Sequence, residues 1–118
     1  DARAFPFDPS PADWPSSPLG AALAATGRNQ VVVLGLWLEE AVTWLALNCL
    51  SVGLDTYVPT DATPVIDAAN EPAARARLTQ AGAVPTSTEQ IIREWAALHV
   101  NAGTANAILG TLPRARSR

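Results

Sequence analysis

One stretch of the sequence has the pattern of a strand-to-helix turn, where α/β proteins commonly present functional side chains. Residues 31–42 read VVVLGLWLEEAV: a buried-strand pattern meets Gly35 and passes directly into a helix led by Glu39 and Glu40. The turn contains no serine, cysteine, histidine or lysine, so it offers no nucleophile of these types. Because carboxylates in the first turn complement the helix dipole and repel an anionic ligand, we expect a structural role for both.

The other residues that could do chemistry are few and scattered. Cys49 is the only cysteine and His99 the only histidine. We expect Cys49 to be a small buried core residue and His99 to be structural, because one histidine makes neither a triad nor a metal site. Asp61 ends a predicted strand at the edge where α/β proteins bind ligands, but its Asp-Ala-Thr-Pro sequence also favours a turn. Asp8 and Asp13 lie among prolines and are typical of turns.

The composition is that of one folded domain without cofactor motifs. Of the 118 residues, 48% are apolar and 16% are charged, which argues against disorder and allows one hydrophobic core. All eight basic residues are arginines, which excludes lysine chemistry, and the strand–glycine–helix segment has no G-x-G-x-x-G pattern for a dinucleotide. We predict no metal and no cofactor.

Charge and hydropathy argue against two classes of partner. The net charge of −3 offers no basic surface for nucleic acid, and we expect the basic tail, residues 113–118, to be solvated. No window reaches the roughly 20 apolar residues of a membrane-spanning helix, and the first residues lack a signal pattern. A single cysteine excludes an internal disulfide and suits a reducing compartment. We predict a soluble cytoplasmic protein with no nucleic-acid partner and no membrane partner.

Prolines set the first 18 residues apart from the rest of the chain. Five prolines interrupt the segment FPFDPSPADWPSSP, which forbids a continuous helix and predicts an extended arm over residues 1–18. Trp14 is the residue most suited to anchor this arm on a neighbouring surface. Ser17 then has the pattern of an N-cap, with Pro18 at the first helical position and Gly27 as the stop signal of a short helix.

Helix and strand patterns alternate over residues 19–112, which we expect to form one α/β half-domain. Residues 30–36 are apolar on both faces, which predicts a strand buried on both sides of a parallel sheet. Residues 39–52 have the apolar spacing of a helix. After them, the pattern predicts a strand at DTYVP, a helix over residues 70–82 and a strand at AVPT. Thr86 and Glu89 form a T-x-x-E capping box before a last helix, EQIIREWAALHV. Apolar packing is expected at Val42, Leu45, Ala46, Cys49 and Leu50, and at Trp37, Trp44 and Trp95.

The first predicted strand raises a problem of exposure. It is the most hydrophobic of three strands, yet it would lie at the edge of a small sheet, where a long apolar strand is an aggregation hazard. We therefore infer that residues 30–36 pair with strands absent from this chain or with a second copy of the chain. An oligomer, or one portion of a larger fold, is the expected state.

Three segments together resemble the C-terminal half of the isochorismatase-like superfamily, the cysteine hydrolases that include nicotinamidases, N-carbamoylsarcosine amidases and isochorismatases. They are ATGRNQVVVLGLWLEEAV, GLDTYVPTDAT and ARLTQAGAVPTSTEQIIREW, and the resemblance covers residues 16–98. It implies an α/β fold, a three-layer Rossmann-like parallel sheet of which only the C-terminal three strands are present in this chain. It also implies an activity on amide or enol-ether bonds.

The resemblance implies that the catalytic set is absent from this chain. The family usually carries a triad of Asp, Lys and Cys, with the cysteine in a pattern like G-x-x-T-x-x-C-V. Here Gly35 matches the glycine, Leu38 stands at the threonine position and Ala41 at the nucleophile position, before Val42. The matching Asp and Lys would fall before residue 1. Absence of the cysteine alone does not end activity, because isochorismatases also lack it.

The resemblance still assigns backbone features of a site to this chain. By position, the cis peptide of the family corresponds to the bond between Leu36 and Trp37, and the oxyanion-hole N–H groups to those of Trp37 and Ala41. Three functions stay open: a portion of a hydrolase, a non-catalytic assembly subunit, and a small-molecule binding module around Trp37.

Overall fold

A computed structural model of the chain describes residues 2–113 and contains one parallel sheet. Its three strands lie in the order β1 (Gln30–Val32), β2 (Asp55–Pro59) and β3 (Val84–Thr86). Parallel pairing places Val31 beside Thr56 and Tyr57 beside Val84. The predicted α/β class is therefore confirmed. Apart from Pro113, the predicted basic tail lies outside the described residues.

The first strand is shorter than the sequence predicts. It ends at Val32 instead of residue 36, and the N–H of Val33, which donates to the Tyr57 carbonyl at 2.9 Å, is the last pairing bond. Gly35 then adopts a φ of 123°, a conformation that favours glycine, and the chain leaves the sheet. The expected edge position is confirmed, because within residues 2–113 the only strand that pairs with β1 is β2.

The N-terminal arm is extended only in part. The prediction of an extended arm is wrong for Pro11–Ser16, which forms a 3₁₀ helix, a tight turn that prolines tolerate near its start. Trp14 in this helix is 2% exposed, which confirms it as the anchor of the arm. Phe7 adds an edge-on aromatic contact to Trp14, with ring centroids 6.3 Å apart.

The first α-helix, α1 (Pro18–Ala25), begins and ends as predicted. The side chain of Ser17 caps it by accepting the N–H of Gly20 at 3.0 Å, and Gly27 follows its end with a φ of 68°. Gly20 also permits a close approach, because a Cβ at this position would lie 2.0 Å from the carbonyl oxygen of Trp14. The proline-rich segment and α1 thus pack as one unit.

One face of the sheet is covered by two helices, α2 (Thr43–Ser51) and α3 (Glu71–Ala81), and we call it the closed face. The predicted apolar side of α2 packs there, as expected from its spacing. The α3 helix also has nearly the predicted bounds, with Gly82 at its end at a φ of 104°. The buried members of this core are Val33, Leu38, Val42, Ala46, Val58, Leu78 and Ala83.

The other face of the sheet is covered incompletely, and we call it the open face. Side chains alternate along a strand, so Val32 and Tyr57 point away from the closed face and toward α4 (Thr88–Leu98). A groove remains between these strands and that helix. Its lining residues are Gln30, Val32, Tyr57, Ile91, Glu94, Trp95 and Leu98.

The burial predicted for three tryptophans is wrong within this chain. Trp95 on the open face is 49% exposed, and Trp37 and Trp44 are also exposed. Their spacing correctly places them on or beside apolar helix faces, but the described residues contain no further layer to cover them.

The C-terminal helices differ from the prediction in two details. The N-cap of α4 is Ser87, whose hydroxyl accepts the N–H of Gln90 at 3.0 Å, so the capping box predicted at Thr86 is wrong by one residue. Glu89 instead pairs with Arg93 at 3.6 Å. A further helix, α5 (Ala102–Leu109), packs on α4 and was not predicted, because its small residues give a weak apolar periodicity.

Candidate functional site

Three connections meet at the carboxyl edge of the sheet, where α/β folds place their ligands. The first, residues 35–42, leads from β1 toward α2 and is called the turn. The second leads from β2 to α3 and includes residues 63–67, which we call the strap. The third is the short connection from β3 into the start of α4.

The backbone of the turn has an unusual course. The peptide bond between Leu36 and Trp37 is cis, as the resemblance implied. The next residues form one wide helical turn, in which the N–H of Val42 donates to the carbonyl of Trp37 at 3.3 Å, and Glu40 has a non-helical backbone at φ −117° and ψ −108°. The hydroxyl of Thr43 donates to the carbonyl of Leu38 and fixes the junction with α2.

The side chains of the turn divide between core and solvent. Leu38 and Val42 are buried in the closed face, whereas Leu36 and Trp37 are exposed. Ala41, at the predicted nucleophile position, is half-buried and carries only a methyl group. Among the described residues, the N–H of Trp37 has no hydrogen-bond acceptor. The assignment of the Trp37 and Ala41 N–H groups to an oxyanion hole stays a prediction.

Glu39 has a structural contact that the sequence did not reveal. Its carboxylate accepts the N–H of Ile66 at 2.9 and 3.0 Å and the N–H of Asp67 at 3.0 Å. Partial desolvation alone would raise the pKa of Glu39, but the bonds from Ile66 and Asp67 outweigh it and lower the pKa below its ordinary value of 4.5. The carboxylate is therefore directed at the strap and away from any ligand in front of the helix.

Asp61 is likewise engaged within the chain. One carboxylate oxygen accepts the N–H of Thr88 at 2.9 Å and the Thr88 hydroxyl at 3.1 Å, at the first residue of α4. It belongs to a short 3₁₀ turn, Thr60–Ala62, so the turn expected from its sequence is present. A carboxylate at a helix start satisfies backbone donors that would otherwise lack partners.

Cys49 is an inert core residue, as predicted. It is fully buried in α2, and burial raises the pKa of its thiol to about 11. Because the thiolate is the reactive species, this cysteine cannot replace a nucleophile at the turn.

The remaining candidates contribute no site. Asp8 accepts the N–H of Ser10 at 2.9 Å, the contact of a turn former. His99 is exposed at the end of α4, and Asp13 is exposed in the N-terminal 3₁₀ helix. Within residues 2–113, no three His, Cys, Asp or Glu side chains are grouped to hold a metal ion. None of the helices in this part of the chain is long and apolar enough to cross a membrane.

The sequence model of the isochorismatase domain matches residues 13–90 of this chain. Among curated proteins, "Probable hydrolase YcaC" of Escherichia coli (strain K12) is 34% identical over 70 residues, which cover 59% of this chain and 34% of that protein.

Two solved structures resemble the chain. The YcaC gene product of Escherichia coli, described as an octameric hydrolase of unknown specificity, has a TM-score of 0.60 at 29% identity, over 70% of this chain and 39% of that one. YcaC from Pseudomonas aeruginosa, solved with hexane-2,5-diol and covalent acrylamide, has a TM-score of 0.67 at 28% identity, over 89% of this chain and 52% of that one. The chain thus spans between a third and about half of the length of these relatives.

Proposed function

The chain belongs to the isochorismatase domain family, and we propose that it supplies one half of a hydrolase fold that strands outside this chain complete at β1. The observation that carries this proposal is the open edge of β1, which pairs only with β2 within the described residues. The incompletely covered open face adds support, because a parallel sheet is normally covered on both faces. The additional length of the solved relatives supplies a precedent for the missing layer.

The proposal assigns scaffolding to this chain and chemistry to its partner. The resemblance assigns Ala41 to the position of the family's cysteine. Cys49 is buried, and Glu39 and Asp61 both accept backbone N–H groups. General acid–base catalysis needs a titratable group within reach of the substrate. Such a group would come from the completing half, together with any nucleophile, and the turn would contribute the backbone around Trp37.

A second candidate is a non-catalytic subunit that pairs with another copy of itself. The same open edge favours it, and the octameric assembly of the Escherichia coli relative shows that oligomers occur among similar proteins. In this case the partner strand is β1 of a second copy. We place either assembly in the cytoplasm, which suits the single buried cysteine.

Native mass measurement of the chain purified from expressing cells separates the two candidates. A complex with a second polypeptide, or a longer product of the same gene, supports the hydrolase half. A stable assembly of identical chains supports the non-catalytic subunit. A chain that is monomeric as isolated from those cells contradicts both, because β1 then has no partner.

A further inference from the structure

The strap, residues 63–67, is held at the carboxyl edge of the sheet by bonds from the turn. Its Pro64 carbonyl accepts the N–H of Leu38 at 2.9 Å. Its last two N–H groups, those of Ile66 and Asp67, both donate to the carboxylate of Glu39 and to no other acceptor among residues 2–113. Thr63, at the start of the strap, is buried, and its hydroxyl donates to the Pro59 carbonyl at 2.8 Å. The N–H groups at the other end of the strap are held by one side chain, that of Glu39.

We propose that Glu39 is a latch whose negative charge holds the strap closed against the turn, and that the strap opens when this charge is removed. The inference is independent of the proposed function, since it concerns contacts within this chain alone.

The geometry explains why the charge matters. An ionised carboxylate offers two oxygens that accept hydrogen bonds, and three contacts of 2.9–3.0 Å use both of them. A protonated acid loses the charge and carries a hydroxyl on one of the two oxygens, so its bonds to the two N–H groups are weaker. Hydrogen bonds to charged acceptors are also stronger than neutral ones.

The surroundings supply no competing cation. Glu40 shares the turn, and the carboxylate of Asp67 accepts the N–H of Ala69 at 2.9 Å. The ion pair of Arg93 with Glu89 is the only one within the described residues, so no arginine lies within 4.0 Å of Glu39. The remaining charged groups of the packed elements are those on α3: Glu71, Arg75 and Arg77.

The direction of the pH response follows from these contacts. The bonds to the strap favour the ionised form and lower the pKa of Glu39 in the folded chain below 4.5. The latch is therefore complete above the ordinary glutamate pKa and is lost as the pH falls through the lowered value.

Opening the strap would change the mouth of the candidate site. Ile66 is exposed on the strap, and Val65 packs partly against the core of the closed face. Release would free both side chains and uncover the side of the turn that faces the β2 connection. The latch thus controls which apolar groups line this edge.

Amide hydrogen exchange of the whole chain tests the latch, with Glu39→Gln compared with Glu40→Gln. Both substitutions remove one negative charge from the same turn, but only Glu39 bonds to the strap. We expect Glu39→Gln to accelerate exchange at Ile66 and Asp67 about tenfold or more, while Val33 stays protected. Glu40→Gln should leave all three rates near those of the unaltered chain.

Unchanged exchange at Ile66 and Asp67 in Glu39→Gln, or an equal acceleration in Glu40→Gln, overturns the proposal. If Glu39→Gln does not fold, an acid titration of the unaltered chain decides instead. The latch predicts that the amide signals of Ile66 and Asp67 titrate below pH 4.5 while Val33 remains protected. Loss of all three signals together shows global unfolding and counts against it.

Discussion

The two faces of the sheet are covered by helices to different degrees. On the closed face, Val58 of β2 and Leu78 of α3 are fully buried between the sheet and its helices. On the open face, Trp95 and Leu98 remain exposed beside Val32, although α4 also has an apolar side. The strands are shared, so strand sequence alone does not decide which face is buried. What decides it is whether this chain supplies the elements that cover each face.

The contrast suggests a division of labour. The closed face, with the turn and the strap attached to it, is self-sufficient and holds the fold together. The open face and the edge of β1 leave apolar groups that further layers would cover, and they contribute little to the stability of this chain. Four predictions test this difference between the two faces.

The largest difference is expected between two leucines. Leu78→Ala leaves a cavity in the closed face and should lower the free energy of unfolding by about 2–5 kcal/mol. Leu98→Ala, at a position 73% exposed, should cost about 0.5 kcal/mol or less when the chain is dissociated. Urea denaturation at low protein concentration measures both. Equal losses would show that the open face is already packed.

Thiol labelling compares a buried position in α2 with an accessible position in the turn. Ala41→Cys places a thiol at a half-buried position, where a pKa of about 8.5 is ordinary, whereas the pKa of Cys49 is raised to about 11. If both thiols were equally exposed, their thiolate fractions near neutral pH would differ about three hundredfold. Intact mass after acrylamide treatment should show one adduct on native Ala41→Cys and none on the native unaltered chain. Rapid modification of native Cys49 would mean that α2 opens readily.

A charge on the open face should weaken association. Val32→Glu places a carboxylate at the unpaired edge and should raise the dissociation constant about tenfold or more. Val84→Glu is the matched control, because it introduces the same charge on β3, at the opposite edge of the sheet. Sedimentation measurements distinguish the two variants. Equal weakening by both would place the partner elsewhere than at β1.

The smallest effect is expected for catalysis by the chain alone. Ala41→Cys introduces a thiol at the position that the resemblance assigns to the nucleophile but brings no neighbouring base or cation, so the thiol remains mostly protonated. We expect no amide hydrolysis above background in an ammonia-release assay. Measurable turnover would reveal a catalytic base within this chain and would contradict its assignment as a scaffold.

The local pattern predicts a large part of this fold. β2 has the predicted bounds, α3 begins and ends beside Asn70 and Gly82, and the apolar side of α2 is buried as its spacing indicates. These features depend on neighbouring residues, whose order is visible in the sequence. The edge position of β1 also follows from the small number of strands.

Three features of the structure were not predicted from the sequence, and each has a physical reason. Glu39 bonds to N–H groups 27 and 28 residues away, and no local pattern marks such a partner. The exposure of Trp95 depends on layers that the sequence pattern assumes and the described residues do not supply. β1 ends earlier than predicted because the backbone turns away from the sheet at Gly35. The apolar residues on both sides of Gly35 have the pattern of a continuing strand.

Amide exchange at adjacent residues of β1 shows whether the outer edge of this strand is paired in the assembly. The N–H of Val33 bonds to Tyr57, and because successive groups alternate, the N–H of Val32 faces the open edge. In the assembly isolated from expressing cells, the account predicts protection of both amides; after dilution to the dissociated chain, only Val33 stays protected. Free exchange of Val32 in the assembly, or its protection in a monomer, would contradict the claim that β1 requires a partner.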